Sequence, residues 1–189
     1  MITLSAYLKE ISFYPAELDK AVLSIVKQEF YKDKPLFKPG RICPYIWYLQ
    51  SGLVAVREDR GDKEVYHWLQ AAPAIVIAPD SSLDGIKETH MHIEPIEPCL
   101  TQRATIENVQ RVIRERPEFM DHYRIINANY RRLHNEREAD LRTLGPEERF
   151  VKLWKQSPDL FRRVPNEILM KHIQISPKKF YDCKRQLTA

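Results

Sequence analysis

Eight residues near the end of the chain, Lys178-Lys179-Phe180-Tyr181-Asp182-Cys183-Lys184-Arg185, hold four cations and one carboxylate. Lysine and arginine at this density can contact phosphates if a fold presents them on one face. The plainer alternative is a solvated basic end. A second constellation is His90-x-His92-x-Glu94. On a strand, alternate residues share a face, so these three could converge on one metal ion. His122 and His134 fall in a helical stretch and a fourth ligand is not evident, so an exposed polar strand face is preferred and no metal is assigned. Lone Ser and Cys residues offer no nucleophile motif: there is no GxSxG and no P-loop. No catalytic residue and no cofactor is assigned.

The bulk numbers set the frame for these residues. The chain has 189 residues, 43% of them hydrophobic, and a formal net charge of +4. A real core is feasible, and the overall charge alone says little about a nucleic-acid partner. Cys43, Cys99 and Cys183 lie far apart with no CxxC pair. They read as reduced thiols in a cytoplasm, not as a disulfide framework or zinc site. No apolar run is long enough to span a membrane, and the acidic, amphipathic N-terminus makes a poor signal peptide.

The elements that must position the chemistry fall into three textures. Residues 1 to about 30 read as helical, with Leu4, Leu8, Ile11, Leu18, Val22, Ile25 and Val26 at helical spacing and a turn in "FYPAEL" that puts Pro15 at a helix start. From about 34 to 104 the period shortens to that of strands. Gly61-Asp62 reads as a hairpin turn, and Pro73, Pro79, Pro95 and Pro98 suit strand ends. Short, closely spaced strands predict a small antiparallel barrel or jelly roll. From Thr105 to Leu144 the texture is helical again, with Thr105 as N-cap and a new helix starting at Pro117.

In that last helix Phe119, Tyr123, Ile126, Tyr130 and Leu133 alternate by four and three, which is the spacing of a coiled-coil seam. Two occupants fit: the chain's own barrel, or the same helix of a second copy. The charged residues on the other faces favour the second copy. Gly145-Pro146 breaks the chain, Gly as a helix C-cap and Pro at the next N1, with Glu147 and Glu148 favourable at that N-terminus. This sets a boundary between residues 1–144, with a dimer helix at about 117–144, and residues 145–189.

The tail then reads as two helices with a tight turn and a small shared core. Leu169 and Ile173 lie on one face of the first helix, Ile175 sits in the turn, and Phe180 and Cys183 face inward from the second. Ser176 would be the N-cap and Pro177 N1. Ser176, Lys178, Lys179, Tyr181, Asp182, Lys184 and Arg185 are then the candidate DNA-binding residues. Two positions fit poorly. The turn after Ile173 asks Gln174 to take positive φ, and Met170 stands where close helix crossing favours a small residue.

Two helices, a small β-barrel, a long dimer-type helix and a helix-turn-helix, in this order, resemble the catabolite-activator and fumarate-nitrate-regulator (CRP/FNR) family of bacterial transcription factors. "PLFKPGRICPYIWYLQSGLVAVRE" is similar to the family's strand-turn-strand opening, with Gly40 and Gly52 at its turn glycines. "RFVKLWKQSPDLFRRVPNEILMKHIQISPKKF" is similar to the short regulators common in Bacteroidetes. The resemblance implies an α+β fold with a cyclic-nucleotide-binding-like sensor domain and a helix-turn-helix. It also implies double-stranded DNA as partner, a homodimer, and a small-molecule effector of unknown identity.

The departures from that pattern are informative. Where cAMP-binding members carry a Gly-Glu pair and an Arg-Ser or Arg-Ala pair, this chain has "APDSSLDGIKETHMHIEPIE", with neither Gly-Glu nor arginine. A buried phosphate needs a cation or a nest of N–H groups, so cyclic-nucleotide binding by the usual mode is not expected. Arg103 lies past that stretch and reads as a strand-end surface charge. The family's base-reading arginine becomes Asp182. With the chain ending at Ala189, no β-wing is expected.

Among the aromatics, Tyr45 and Trp47 share one strand face and Tyr48 the other. Trp47, Tyr66 and Trp68 are the candidate lining of a ligand pocket, set against ordinary core packing. The reading adopted is a homodimeric DNA-binding regulator that senses an unknown ligand. A ligand-sensing or protein-interaction module that has lost DNA readout is the alternative. A metal-dependent cupin-type enzyme ranks below both, because Glu94 follows the HxH pair too soon for the cupin pattern.

Overall fold

The computed structural model describes residues 2–11, 16–78 and 90–188. It opens with α1 (Leu4–Ile11) and α2 (Ala16–Ile25). Helical spacing puts Leu4, Leu8, Leu18, Val22 and Ile25 on buried sides. The turn expected at Pro15, the strand end at Pro79 and most of the stretch compared with the cAMP cassette lie outside the described residues. Helix does not continue to residue 30: Lys27–Tyr31 is a strand, β1. After Val26 come three polar residues and then two adjacent aromatics, a pattern with no helical face to bury.

The remaining strands are β2 (Tyr45–Ser51), β3 (Leu53–Arg60), β4 (Lys63–Ala71), β5 (Ala74–Ile77), β6 (Met91–Pro95) and β7 (Cys99–Thr105). They form two antiparallel sheets, ordered β1-β7-β2-β5 and β4-β3-β6. The expected barrel does not close among the described residues. β1 and β5 edge the first sheet and β4 and β6 the second; β1, β5 and β6 are only four or five residues long, and β6 is bridged on its outer side by Phe37 at Ile93. The hairpin turn does form at Gly61-Asp62, where Gly61 takes φ 62°. Pro73 lies between β4 and β5, Pro95 ends β6, and Pro98 precedes β7.

Alternation along β2 divides its side chains between two cores. Trp47 and Leu49 join Val54, Val56, Trp68 and Ile93 in one. Tyr48 and Ile46 face the other, under α1 and α2. The Tyr48 hydroxyl donates to the Ile2 carbonyl at 2.8 Å. Arg103 is a partly exposed, paired charge and not a free one at the surface. It stacks 3.9 Å over the Tyr45 ring and pairs with Glu29 at 2.8 Å. The Tyr31 hydroxyl bonds the same Glu29 and accepts from Trp47 Nε1 at 3.3 Å. Burial, with the Glu29 bond, pushes that phenol up to about 12.

Thr105 caps α3 (Ile106–Glu115), its Oγ1 accepting from the Asn108 N–H at 3.2 Å. A 3-10 turn at Pro117–Phe119 leads into α4 (Met120–Thr143), 24 residues long. The expected seam divides on this helix. Phe119 is buried, and Tyr123 and Ile126 pack beside it, all on the core beneath α1–α3. Tyr130 rests on Trp68, ring centroids 5.0 Å apart, while Leu133 is exposed. Phe119 is therefore withdrawn from any partner helix; its place in the period records packing within the chain.

Helices α5 (Pro146–Gln156), α6 (Leu160–Arg163), α7 (Asn166–Ile173) and α8 (Pro177–Thr188) complete the chain. Gly145 is the N-cap of α5, at φ −64°, and not a left-handed C-cap of α4. Its N–H donates to Glu148 Oε2 at 2.6 Å, so the carboxylate does the capping from the third position.

Candidate nucleic-acid interface

The C-terminal helices fold around Phe180. Its ring meets Phe150 edge-on at 5.2 Å and stacks on Phe161 at 6.3 Å. Leu169, Ile173, Ile175 and Cys183 close the cluster, all buried. These are the positions that the tail's periodicity assigns to the shared core. Met170 sits half-buried at its margin. Burial raises the pKa of the Cys183 thiol and pushes that of Cys99 to about 11.

Between the helices Gln174 stands at φ 54°, ψ 55°, the left-handed conformation expected of it. A side-chain-bearing residue held there costs roughly 1 kcal/mol. The turn has compensating support that no spacing along the chain predicts. Arg149 on α5 donates from Nε to the Ile173 carbonyl at 2.8 Å, from Nη2 to Gln174 at 3.1 Å, and from Nη1 to Leu144 at 2.6 Å. One guanidinium thus takes up end-of-helix carbonyls from α4 and α7. An arginine on an amphipathic helix carries no spacing signal for this role.

The expected DNA-binding residues separate into groups. Lys178, Tyr181 and Arg185 recur every three or four residues and are exposed, so they form one outward stripe on α8, with Ser176 exposed at its start. Lys179 turns toward α5 and pairs with Glu147 at 2.5 Å, which lowers that carboxyl's pKa. Lys184 is half-buried and donates to Asn166 Oδ1 at 3.2 Å. Asp182 pairs with Arg185 one turn on. The acid on α8 therefore sits beside a cation.

The helix pair is docked on the strands of its own chain. Leu53 belongs to the Phe180 cluster, and Leu69, Ala71 and Ile96 pack on it. Around that apolar contact, Arg163 pairs with Glu97 at 2.7 Å and Lys171 with Glu64 at 2.7 Å. The Tyr66 carbonyl accepts from Arg137 Nη2 and from His172 Nδ1, each at 2.9 Å. Burial and the Arg137 charge push His172 down to about 3, so its ring is neutral. None of these contacts was legible as a motif.

The other expected sites disperse. Trp47 has no exposed surface and is core. Trp68 belongs to the same core and packs its other side on α4. Tyr66 is raised by burial and senses the charges of Glu94, Glu64, Arg57 and Lys171. These three aromatics do not line one pocket, because the bulge opposite Val56 and Arg57 breaks the alternation that would have aligned Tyr66 with Trp68. His92 pairs with Asp59 at 2.8 Å and Glu94 with Arg57 at 2.9 Å. Among the described residues no three His, Cys, Asp or Glu side chains gather as metal ligands. Nor is any helix among them long and apolar enough to cross a membrane.

No protein-family model matches the chain, and no curated protein does. Solved structures do match. The c-di-GMP-responsive global regulator CLP of Xanthomonas campestris superposes with a TM-score of 0.72 at 15% identity, over 92% of this chain and 92% of that one. FixK2 of Bradyrhizobium japonicum gives 0.74 at 11%, over 87% and 85%. A crp/fnr-family regulator from Eubacterium rectale gives 0.71 at 9%, over 93% and 84%. The chain has the CRP/FNR-type regulator fold.

Proposed function

We propose that this chain is a homodimeric DNA-binding transcriptional regulator, with residues 145–189 as its DNA-binding unit. The observation that carries the reading is the packed α7–turn–α8 unit with Lys178, Tyr181 and Arg185 on one outward face. In a dimer, two copies of α8 would enter successive major grooves about 34 Å apart. Lys178 and Arg185 supply phosphate contacts, and Tyr181 lies between them, facing the bases. The exposed Leu133 and the half-buried Tyr130 on α4 are the surface on which a second α4 would pack.

The test is a gel-shift series on genomic fragments at increasing salt. A sequence-preferring complex that weakens steeply with salt, and is lost in K178A/R185A while the variant keeps its oligomeric state, is the expected result. No salt-sensitive complex would refute the reading. One observation favours the alternative, an interaction module without DNA readout: Asp182 ties up Arg185 on the reading helix. D182A separates the two, since it frees Arg185 and should tighten a genuine DNA complex while leaving an interaction module indifferent.

A further inference from the structure

The two sheets end in four edge strands, and the chain's own groups engage three of them. On β4, Arg137 and His172 both donate to the Tyr66 carbonyl at 2.9 Å. On β6, Ile93 exchanges main-chain bonds with Phe37, at 3.1 and 3.2 Å. On β5, the Ile75 carbonyl accepts from Gln70 Nε2 at 3.4 Å. β1 is different. It pairs with β7 on one side, from Lys27 opposite Arg103 to Tyr31 opposite Cys99. Beyond that ladder its main chain has a single contact among the described residues, from Thr101 Oγ1 to the Glu29 carbonyl at 3.4 Å, and Thr101 belongs to β7 itself. Among the described residues, nothing pairs with the other edge of β1.

The side chains of this edge are open too. Phe30 is 64% exposed, more than any other large apolar residue described. It stands opposite Leu100 in the ladder, so the two share a face. Lys27, Lys32 and Lys34 are exposed, and none has an ion pair among the described residues. Of the acids in this segment, Glu29 is matched by Arg103 at 2.8 Å, which leaves Asp33 against those lysines. A strand edge offers main-chain hydrogen bonds to any extended chain, and the side chains beside it select which one. Here they favour negative charge flanking an apolar residue. The β1 of a second copy would bring the same excess of lysine, so self-pairing is opposed.

We propose that β1 is a docking edge for another protein, one that presents an extended acidic segment. The segment adds beside β1 as a further strand of that sheet, with an apolar side chain against Phe30 and Leu100 and carboxylates on Lys27, Lys32 and Lys34. The surface lies on the strands and uses none of the C-terminal helices, so it does not depend on DNA binding.

The experiment selects peptides from a random phage library on the full chain, then measures the enriched sequences as labelled synthetic peptides by fluorescence anisotropy. The enriched set should carry Asp or Glu around alternating apolar residues. F30S and K27E/K32E/K34E should each lose about tenfold or more in affinity. All four side chains are exposed, so both variants should keep the melting temperature of the parent. N-methylation of alternate residues removes main-chain donors and leaves the peptide's charge unchanged. A strand lying on an edge uses the donors of every second residue, so one methylated frame should lose about tenfold or more and the other should still bind. No enriched peptide, binding that survives both variants, or equal affinity of the two methylated frames would overturn the proposal. So would displacement of the peptide by duplex DNA of arbitrary sequence, which would mark the lysines as a phosphate surface.

Discussion

Arg149 Nε lies 2.8 Å from the carbonyl oxygen of Ile173, the last residue of α7, and links α5 to the turn that sets the angle of α8. End-of-helix carbonyls have no partner within their own helix, and Arg149 serves three of them at once. R149M keeps the bulk of the stem and removes every donor. It should destabilise the chain by about 2–3 kcal/mol in urea titrations. R149K should recover only part of this, since an ammonium cannot span the three acceptors as a planar fork does. An R149M midpoint equal to that of the parent would show the contacts to be ornamental.

Gln174 poses the opposite case, a residue that the fold tolerates. Its φ of 54° suits glycine, and its side chain is exposed. Q174G should therefore stabilise the chain by about 0.5–1 kcal/mol, the relief of strain exceeding the added freedom of the unfolded state. Q174V, branched at Cβ, should move the midpoint the other way.

Gly52 is required on different grounds. It sits at φ 96°, and a Cβ built there would lie 2.5 Å from the Pro98 carbonyl oxygen and 2.8 Å from Cys99 Sγ. Its own carbonyl accepts from the Ala72 N–H and from Arg163 Nη2, both at 3.1 Å. G52A should cost on the order of 3 kcal/mol, through the clash and the strained φ together. Because Arg163 also holds Glu97, the same change should loosen the docking of the C-terminal helices. Faster proteolysis near residues 157–165 would report it.

What the sequence disclosed follows from what each interaction leaves in one dimension. The Phe180 core was legible because Leu169, Ile173, Phe180 and Cys183 repeat at helical spacing, and the hairpin because Gly61-Asp62 is a turn signal. The strand Lys27–Tyr31 was not, because its partner β7 lies some seventy residues away and only that ladder explains it. The same limit hid Arg137, Arg163 and His172, whose partners are backbone carbonyls or distant carboxylates. On α4 a single period served two neighbours. Phe119 records the chain's own core and Leu133 an exposed face, and periodicity cannot tell them apart.

His172 gives the molecule a pH dependence whose sign can be worked out. Burial and the neighbouring Arg137 depress its pKa to about 3, against 6.5 for the free side chain. Its contribution to stability is present in full above pH 6.5. It declines as pH falls, because the unfolded chain takes up a proton that the folded one refuses until about pH 3. The loss is up to roughly 1 kcal/mol per pH unit across that window, reduced where solvent reaches the ring. His67, depressed by burial against its bond to Glu58, adds to the same slope. The paired carboxylates Glu58 and Glu97, both lowered, enter only at more acid pH. Urea midpoints at pH 7, 6 and 5 should therefore fall steadily, and H172Q should flatten the series. Since His172 and Arg137 share the Tyr66 carbonyl, protonating the imidazole also sets a second cation beside the first. The part of the chain that yields first in acid should be the contact between β4 and α7, and hydrogen exchange at pH 5 should show α7 opening before the sheets do.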